Sequence, residues 1–388
     1  MTEPTANIEK TAGLSATPAR PLTLQGVRGA MVQLGCDALL PTLTFFTEEL
    51  SFRIDAIFPA DNPKTALISG YGLRLQLSAG VANATPRISL LCDDPATVDG
   101  GRRELTAPNG TVVRFVEADP AYRLPATVQA LVVSRSGDAT HWTVGRAGLR
   151  YRDLLPERHG GAFIASHIRI LEGGEVPDYV HYHKVRFQMI FCRTGWVRVL
   201  YEGQGGPILL KAGDCVLQPP MIRHRVLESS AGAEVIEVGT PAEHITIAEH
   251  QLTLPSEDLP ATHDFGGQRF VCHLAEAAPW KPWRLDGFEH QDTGIGAATD
   301  GLAGVRIVRP AGTGASTTRQ QHESEFCFYF VLAGETDICY DDQRLHLGVD
   351  DSITLPTGQR YAFENASADF KLLEVTLPDA VALTATVD

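Results

Sequence analysis

The chain lacks most of what would make it secreted, membrane-bound or nucleic-acid-binding. Its seven cysteines (Cys36, Cys92, Cys192, Cys215, Cys272, Cys327 and Cys339) are scattered, odd in number and never spaced as CxxC. That argues against a disulfide framework and a thiolate zinc site, and leaves most of them reading as small buried hydrophobes. No run approaches the roughly 18 to 20 apolar residues needed to cross a bilayer, and no basic segment followed by an apolar one opens the chain. A cytoplasmic protein with no membrane partner is expected. Positive charge is also scarce: the net charge of -14 leaves no footprint for gripping a phosphate backbone, so nucleic acid is not an expected partner. Few stretches offer a long helix.

What is present is 388 residues, 44% of them hydrophobic, enough for more than one core. The opening segment, residues 1–23, is polar, rich in Thr, Ala and Pro and without period, and is expected to be a disordered tail. Residues 24–122 then read as strand (GAMVQLG), short helix (PTLTFFTEEL), strand (FRIDAIF), a turn-divided strand pair (KTALISGYGLRLQL), strand (RISLLCD) and a last strand (TVVRFVEA) after the turn Asn109-Gly110. This β-α-β-β-β unit with an extra strand resembles a single module of the vicinal oxygen chelate (glyoxalase-like) family. In that family a His on the first strand and a Glu on the last commonly hold a metal; here the positions are Met31 and Glu117. A thioether binds hard divalent ions poorly, so the resemblance points to a structural, capping or dimerisation role.

From about Ala126 the wording becomes short β-rich runs broken by Gly, Pro and Asp. It also repeats. Gly148, Asp153, His183 and Gly195 recur as Gly287, Asp292, His322 and Gly334, each 139 residues later (287 minus 148, and so on). Two copies of one β-domain are expected, at 126–254 and 263–388, joined through TLPSEDLPATHDFGG.

The first copy carries HYHKVRFQ. Strand alternation puts His181 and His183 on one face, from which two imidazoles can share an ion. Gln188 and Gly195 follow, and a second run supplies Gly213, Pro219 and His224. The two runs resemble the two motifs of the cupin family, with Gln188 in place of Glu, Met221 in place of Gly and Glu228 in place of Asn. The resemblance implies a mainly β protein of two jelly-roll barrels packed as a pseudo-twofold pair, preceded by the α+β module. It implies His181, His183 and His224 as metal ligands with Gln188 a weaker fourth. In the second copy the corresponding positions are Gln320, His322, Cys327 and Tyr361, although Pro356, Gly358 and Asn365 keep the outline of the second motif. That set suits no hard ion, so a packing and dimerisation role is expected there.

Three imidazoles and an amide leave the charge of the ion uncompensated, which favours an anionic chelating ligand. Acid–base work then falls to bound water or substrate, or to Tyr182, Arg186, Arg223 or Glu228. Tyr182 alternates away from the two histidines, and Arg223 is adjacent to His224 in sequence only. Arg186 and Arg198 could neutralise an acidic substrate. The family resemblance implies a mononuclear oxygenase, with Fe(II) the expected ion and Mn(II), Zn(II) or Ni(II) as alternatives. It would use O2 to cleave a small anionic, oxygen-rich substrate such as a hydroxylated aromatic acid or a β-dicarbonyl. The alternatives are a manganese or zinc hydrolase, lyase or isomerase acting on a ureido, keto or sugar acid, and a non-catalytic small-molecule-binding cupin. A homodimer is expected.

Overall fold

The computed structural model describes residues 26–81, 87–106, 112–120, 123–137, 142–312 and 314–385. The expected tail at 1–23 and the Asn109-Gly110 turn lie outside these residues. No helix among them is long and apolar enough to cross a membrane. The chain divides into two units, 1–33 with 84–120, and 34–83 with 121–388.

In the smaller unit the strand Val27–Cys36, through residue 33, pairs antiparallel with Arg87–Cys92. Arg87–Cys92 pairs parallel with Val112–Glu117, which Glu104–Thr106 flanks. Cys92, Val98 and Phe115 form its core with Val27, Leu90 and Leu105. Met31 lies opposite Ser89, whereas Glu117 is in register with Cys92. Because neighbouring residues of a strand point to opposite faces, Met31 and Glu117 are on opposite faces of this sheet.

The larger unit holds the short helix Leu39–Thr44, continued by a wider turn at Phe45–Glu49. Pro41 is tolerated in its first turn, where the backbone has no intrahelical acceptor to lose. Among the described residues the remaining strands fall in four β-sheets. One runs in the order Ile208–Lys211, Trp196–Tyr201, His224–Ser229, His181–His183 and Thr246–Ala248, and Arg53–Phe58, Thr65–Gly70 and Leu73–Ala79 extend it. The join is between Ala56 and Ile247 and between Ile57 and Thr246. Residues 34–83, which the sequence pattern assigns to the first module, therefore share a unit and a sheet with the HxH strand.

A seven-stranded sheet faces that one, in the order Val271–His273, Cys215–Leu217, Phe187–Thr194, Ala233–Thr240, Ile164–Ile170, Arg150–Asp153 and Thr143–Val144. The 139-residue repeat reappears in space. Val132–Ser134, Ser352–Thr354, Phe326–Ala333, Lys371–Leu377, Gly304–Pro310, Phe288–Asp292 and Lys281–Pro282 repeat this order strand for strand. A fourth sheet of Gln343–Leu347, Thr336–Tyr340, Tyr361–Glu364, Gln320–His322 and Leu383–Ala385 matches the first. The outermost strands are exchanged: Val132–Ser134, near the start of the first copy, closes a sheet of the second, and Val271–His273, near the start of the second, closes a sheet of the first.

The two seven-stranded sheets pack back to back. Phe163, Phe187, Met189, Phe191, Ile236 and Val238 of one share a core with Val305, Ile307, Phe326, Phe328, Phe330 and Leu373 of the other. Phe163 stacks on Phe326 with centroids 4.3 Å apart and planes 12° from parallel. A sheet covered on both sides needs no polar alternation. That is why Phe326 to Val331 are buried at every position despite lying in an antiparallel sheet. The remaining faces build two inner cores. One contains Tyr151, Ile168, Val197, Val199, Tyr201 and Val235. The other contains Trp283, Phe288, Tyr329, Ile338, Tyr361 and Phe363.

The repeated motif residues have local causes. Gly195 (φ 71°) and Gly334 (φ 64°) turn matching hairpins, and a Cβ there would lie 2.2 Å from Ser230 Oγ or 2.3 Å from Ser367 Oγ. The second motif needs a left-handed residue: Gly358 supplies it at φ 76°, and Met221, in the same place in the first copy, is forced to φ 67°. A non-glycine residue in that region costs on the order of 1 to 2 kcal/mol.

Candidate metal centre

His181–His183 is a three-residue strand with His181 and His183 buried and Tyr182 half-buried on the other face. His181 stands opposite His224 on one neighbouring strand, and His183 opposite Thr246 on the other. Cross-strand register thus brings in the third imidazole from a site distant in sequence. The ring centroids are 4.2 Å apart for His181 and His224, 5.1 Å for His183 and His224, and 5.2 Å for His181 and His183. Each ring offers a nitrogen within 4.8 Å of the other two.

Tautomers are set by what faces each Nδ1. His181 Nδ1 is 2.8 Å from the Tyr179 carbonyl and His224 Nδ1 is 3.0 Å from the Ile222 carbonyl. A carbonyl only accepts, so both rings donate from Nδ1 and keep a lone pair on Nε2. His183 Nδ1 lies 3.1 Å from Thr246 Oγ1. Burial, the largest effect, holds His181 and His183 well below the usual imidazole pKa and brings His224 down to about 4. Neutral rings are the form that binds a metal ion.

Gln188 is buried beside them. Its Nε2 donates to Glu237 Oε1 at 2.5 Å, while its Oε1 is buried without a hydrogen-bond partner, as is His181 Nε2. Buried unsatisfied acceptors are uncommon, and two of them at one site fit an ion. The residues present therefore fit a divalent metal, with His181, His183 and His224 able to hold it and Gln188 Oε1 free beside them.

A cavity of about 90 Å³ adjoins these residues, walled by His183, His224, Gln188, Glu237, Arg146, Tyr151, Tyr201 and Gln218 and by aliphatic side chains including Ile168, Ile190, Val199 and Val235. Since one water needs roughly 10 to 15 Å³ on this measure, there is room for several waters or a small organic acid. The positive group in the wall is Arg146, ion-paired with Asp178, which also accepts from Val226 N at 2.9 Å. Burial opposes the Arg146 charge, but the Asp178 carboxylate outweighs it and holds the guanidinium pKa above its usual value. The carboxylate in the wall is Glu237, which burial pushes above the usual carboxylate range against the pull of His244 and the Gln188 hydrogen bond. His244 packs edge-on to His183 at 5.1 Å with its Nε2 buried and unpartnered.

Tyr182, Arg186, Arg223 and Glu228 are not among the residues lining this cavity. Arg223 stacks on Tyr182 at 4.3 Å, Arg186 pairs with Glu325 at 3.1 Å, and Glu228 pairs with Arg198 at 2.6 Å. Tyr182 alternates away from the two histidines, Arg186 and Arg223 lie just outside the strands that carry the ligands, and Glu228 sits beside a register shift in its strand pairing. The sequence pattern missed Arg146, Glu237, Thr246 and His244. Only Glu237 left a trace, as a charge inside the otherwise apolar run VIEVG.

The equivalent place in the second copy is built differently. His322 Nδ1 accepts from Ser324 N at 3.1 Å, which puts the proton of its neutral ring on Nε2. Glu374, fully buried, pairs with Arg284 through two oxygens, and Tyr329 and Tyr361 share a hydrogen bond at 3.0 Å. Among the described residues a second histidine–carboxylate cluster, His167, Glu234 and Asp350, lies between the copies. Its carboxylates already pair with Arg169 (2.7 Å) and Arg193 (3.1 Å), so it reads as an ion-pair network.

Against known proteins, the cupin-domain family profile matches residues 307–376, within the copy that lacks the three histidines. The chain has a cupin-like fold. Two crystal structures of salicylate 1,2-dioxygenase from Pseudoaminobacter salicylatoxidans, one of them a variant, match with TM-scores of 0.50. They are 14% and 13% identical, over 68% of this chain and 89% and 90% of theirs. Oxalate decarboxylase from Lactobacillus farciminis in complex with formate matches with a TM-score of 0.47 at 12% identity, over 69% of this chain and 89% of that one. No curated protein matches the sequence.

Proposed function

We propose that the first copy is a mononuclear metal centre with His181, His183, His224 and Gln188 as ligands. On this reading the protein is an oxygenase that uses O2 to cleave a small, anionic, oxygen-rich substrate, either a hydroxylated aromatic acid or a β-dicarbonyl. The observation that carries the reading is the cluster of three buried, neutral imidazoles, two with Nε2 left as the acceptor, with Gln188, whose buried amide oxygen nothing satisfies, lining the same cavity as His183 and His224. The two repeated double-sheet copies are read as two cupin barrels, and residues 24–122 as a glyoxalase-like module. Fe(II) is the ion proposed.

Bound there, such an ion supplies Lewis acidity and one-electron chemistry with O2. The chain's own residues do the rest. The uncharged ligand set favours an anionic chelate, the aliphatic wall accepts a flat apolar body, and Arg146 offers positive charge to an acidic head. Glu237 favours a second reading, acid–base catalysis by a manganese or zinc hydrolase, lyase or isomerase, since it places an ionisable group at the cavity.

Metal analysis of protein purified without air, followed by oxygen-uptake assays with catecholic acids, salicylate and β-diketones, separates the two. Iron together with substrate-dependent oxygen uptake supports the oxygenase. Manganese or zinc with no uptake sinks it in favour of the acid–base enzyme.

A further inference from the structure

The amide of Gln188 is held from behind. Gln188 stands opposite Gly239 in the pairing of Phe187–Thr194 with Ala233–Thr240, so Glu237, two residues along, shares its face. The site of a Cβ at Gly239 is 3.8 Å from Gln188 Cγ, so the two strands meet closely here. Gln188 Nε2 reaches Glu237 Oε1 at 2.5 Å. The amide thus presents its nitrogen to Glu237, and its oxygen is left buried and unpartnered.

The second copy is an internal control. Cys327 stands opposite Thr376 there, and Glu374 occupies the place that Glu237 holds relative to Gly239. Cys327 carries no amide, and Glu374 pairs with Arg284 instead. A glutamate at this place is thus common to both copies, half-buried in the first and fully buried in the second, but only in the first is it turned onto a side chain with a ligand atom to spare.

We propose that Glu237 is a positioning residue that fixes the Gln188 amide with its oxygen free for the ion shared by the three imidazoles. The proposal rests on the metal centre described above and adds the device that makes a neutral, otherwise freely rotating amide a defined ligand. Outer-shell partners of this kind typically contribute about 10–100-fold in metal affinity.

The test uses the full chain, titrated with Mn2+ and followed by the electron paramagnetic resonance of free ion, with Co2+ visible spectra reporting coordination. Glu237→Ala should weaken Mn2+ binding by about tenfold or more and change the Co2+ spectrum as Gln188→Ala does. Glu237→Gln, which keeps an acceptor oxygen, should retain the wild-type spectrum and most of the affinity. In the Gln188→Ala background, Glu237→Ala should add nothing further. Were Glu237→Ala to bind as wild type, or to weaken binding equally with Gln188 already removed, the positioning role would be refuted. Glu237→Gln behaving like Glu237→Ala would refute it too, by pointing to charge alone, and it keeps the test open if Glu237→Ala does not fold. Wild-type protein that binds neither ion overturns the metal centre itself, a result distinct from any of these.

Discussion

Replacing His224 by alanine removes one of three imidazoles that converge within 4.8 Å, and it leaves an alanine opposite His181. Loss of an outer-shell partner alone costs roughly 10–100-fold in metal affinity, so loss of a ligand is expected to exceed about 100-fold. That is on the order of 2.7 kcal/mol or more at about 1.4 kcal/mol per factor of ten. The matched control is His322→Ala. His322 is as buried as His181, but the Ser324 N–H donating to its Nδ1 leaves the proton on Nε2. It therefore has no lone pair aimed at an ion, and its neighbours Gln320, Cys327 and Tyr361 add none suited to a hard one. Protein prepared without air, analysed for metal by mass spectrometry and titrated calorimetrically with Mn2+, should show His224→Ala nearly metal-free and His322→Ala at wild-type content. Equal loss from both variants, or retention by both, would refute the assignment of the ion to the first copy and the tautomer argument behind it.

Thr246→Val removes the hydroxyl 3.1 Å from His183 Nδ1 and should weaken Mn2+ binding by about 10–100-fold with little change in stability, measurable in the same titration. Glu374→Ala strands the half-buried Arg284, whose partner Glu374 is fully buried, and should destabilise by about 3 kcal/mol in urea unfolding followed by tryptophan fluorescence. Replacing Arg284 and Glu374 together by Met and Leu should recover most of that loss, and a double variant no better than the single one would count against a charge-burial origin. Phe326→Ala opens the stacked contact with Phe163 between the back-to-back sheets and should cost about 3–5 kcal/mol in the same assay while leaving metal content unchanged. Glu234 has its pKa pulled to about 2 by the hydrogen bond from His167, from a usual value of 4.5. The unfolded chain takes up that proton first, so the stabilisation is complete above about pH 4.5 and is lost as the pH falls toward 2. Glu234→Gln should flatten that part of an acid-unfolding profile, and an unchanged profile would show that the pair is immaterial.

Much of the architecture was legible because it depends on local periods. A two-residue alternation is enough to place His181 and His183 together and to turn Tyr182 away, and the observed strand has that pattern. The 139-residue offset is likewise visible in the letters, since hairpin glycines and left-handed turn residues answer to backbone sterics within a few residues; Gly195 and Gly334 both have positive φ. The reading of a charge-free ligand environment was incomplete, because Glu237 reaches Gln188 only through a strand pairing across 49 residues of chain.

Sequence by itself determined the β character, the repeat, and the pairing of two histidines on one face, all of which need only nearest-neighbour geometry. Tertiary structure alone decided which distant strands lie beside the HxH strand, and hence that His224 and Thr246 are its cross-strand neighbours. It also decided that Arg146 and Glu237 wall the cavity and that the outermost strands are exchanged between copies. The physical reason is that register between strands far apart in the chain is set by how buried faces pack, a collective property that no single residue's chemistry encodes.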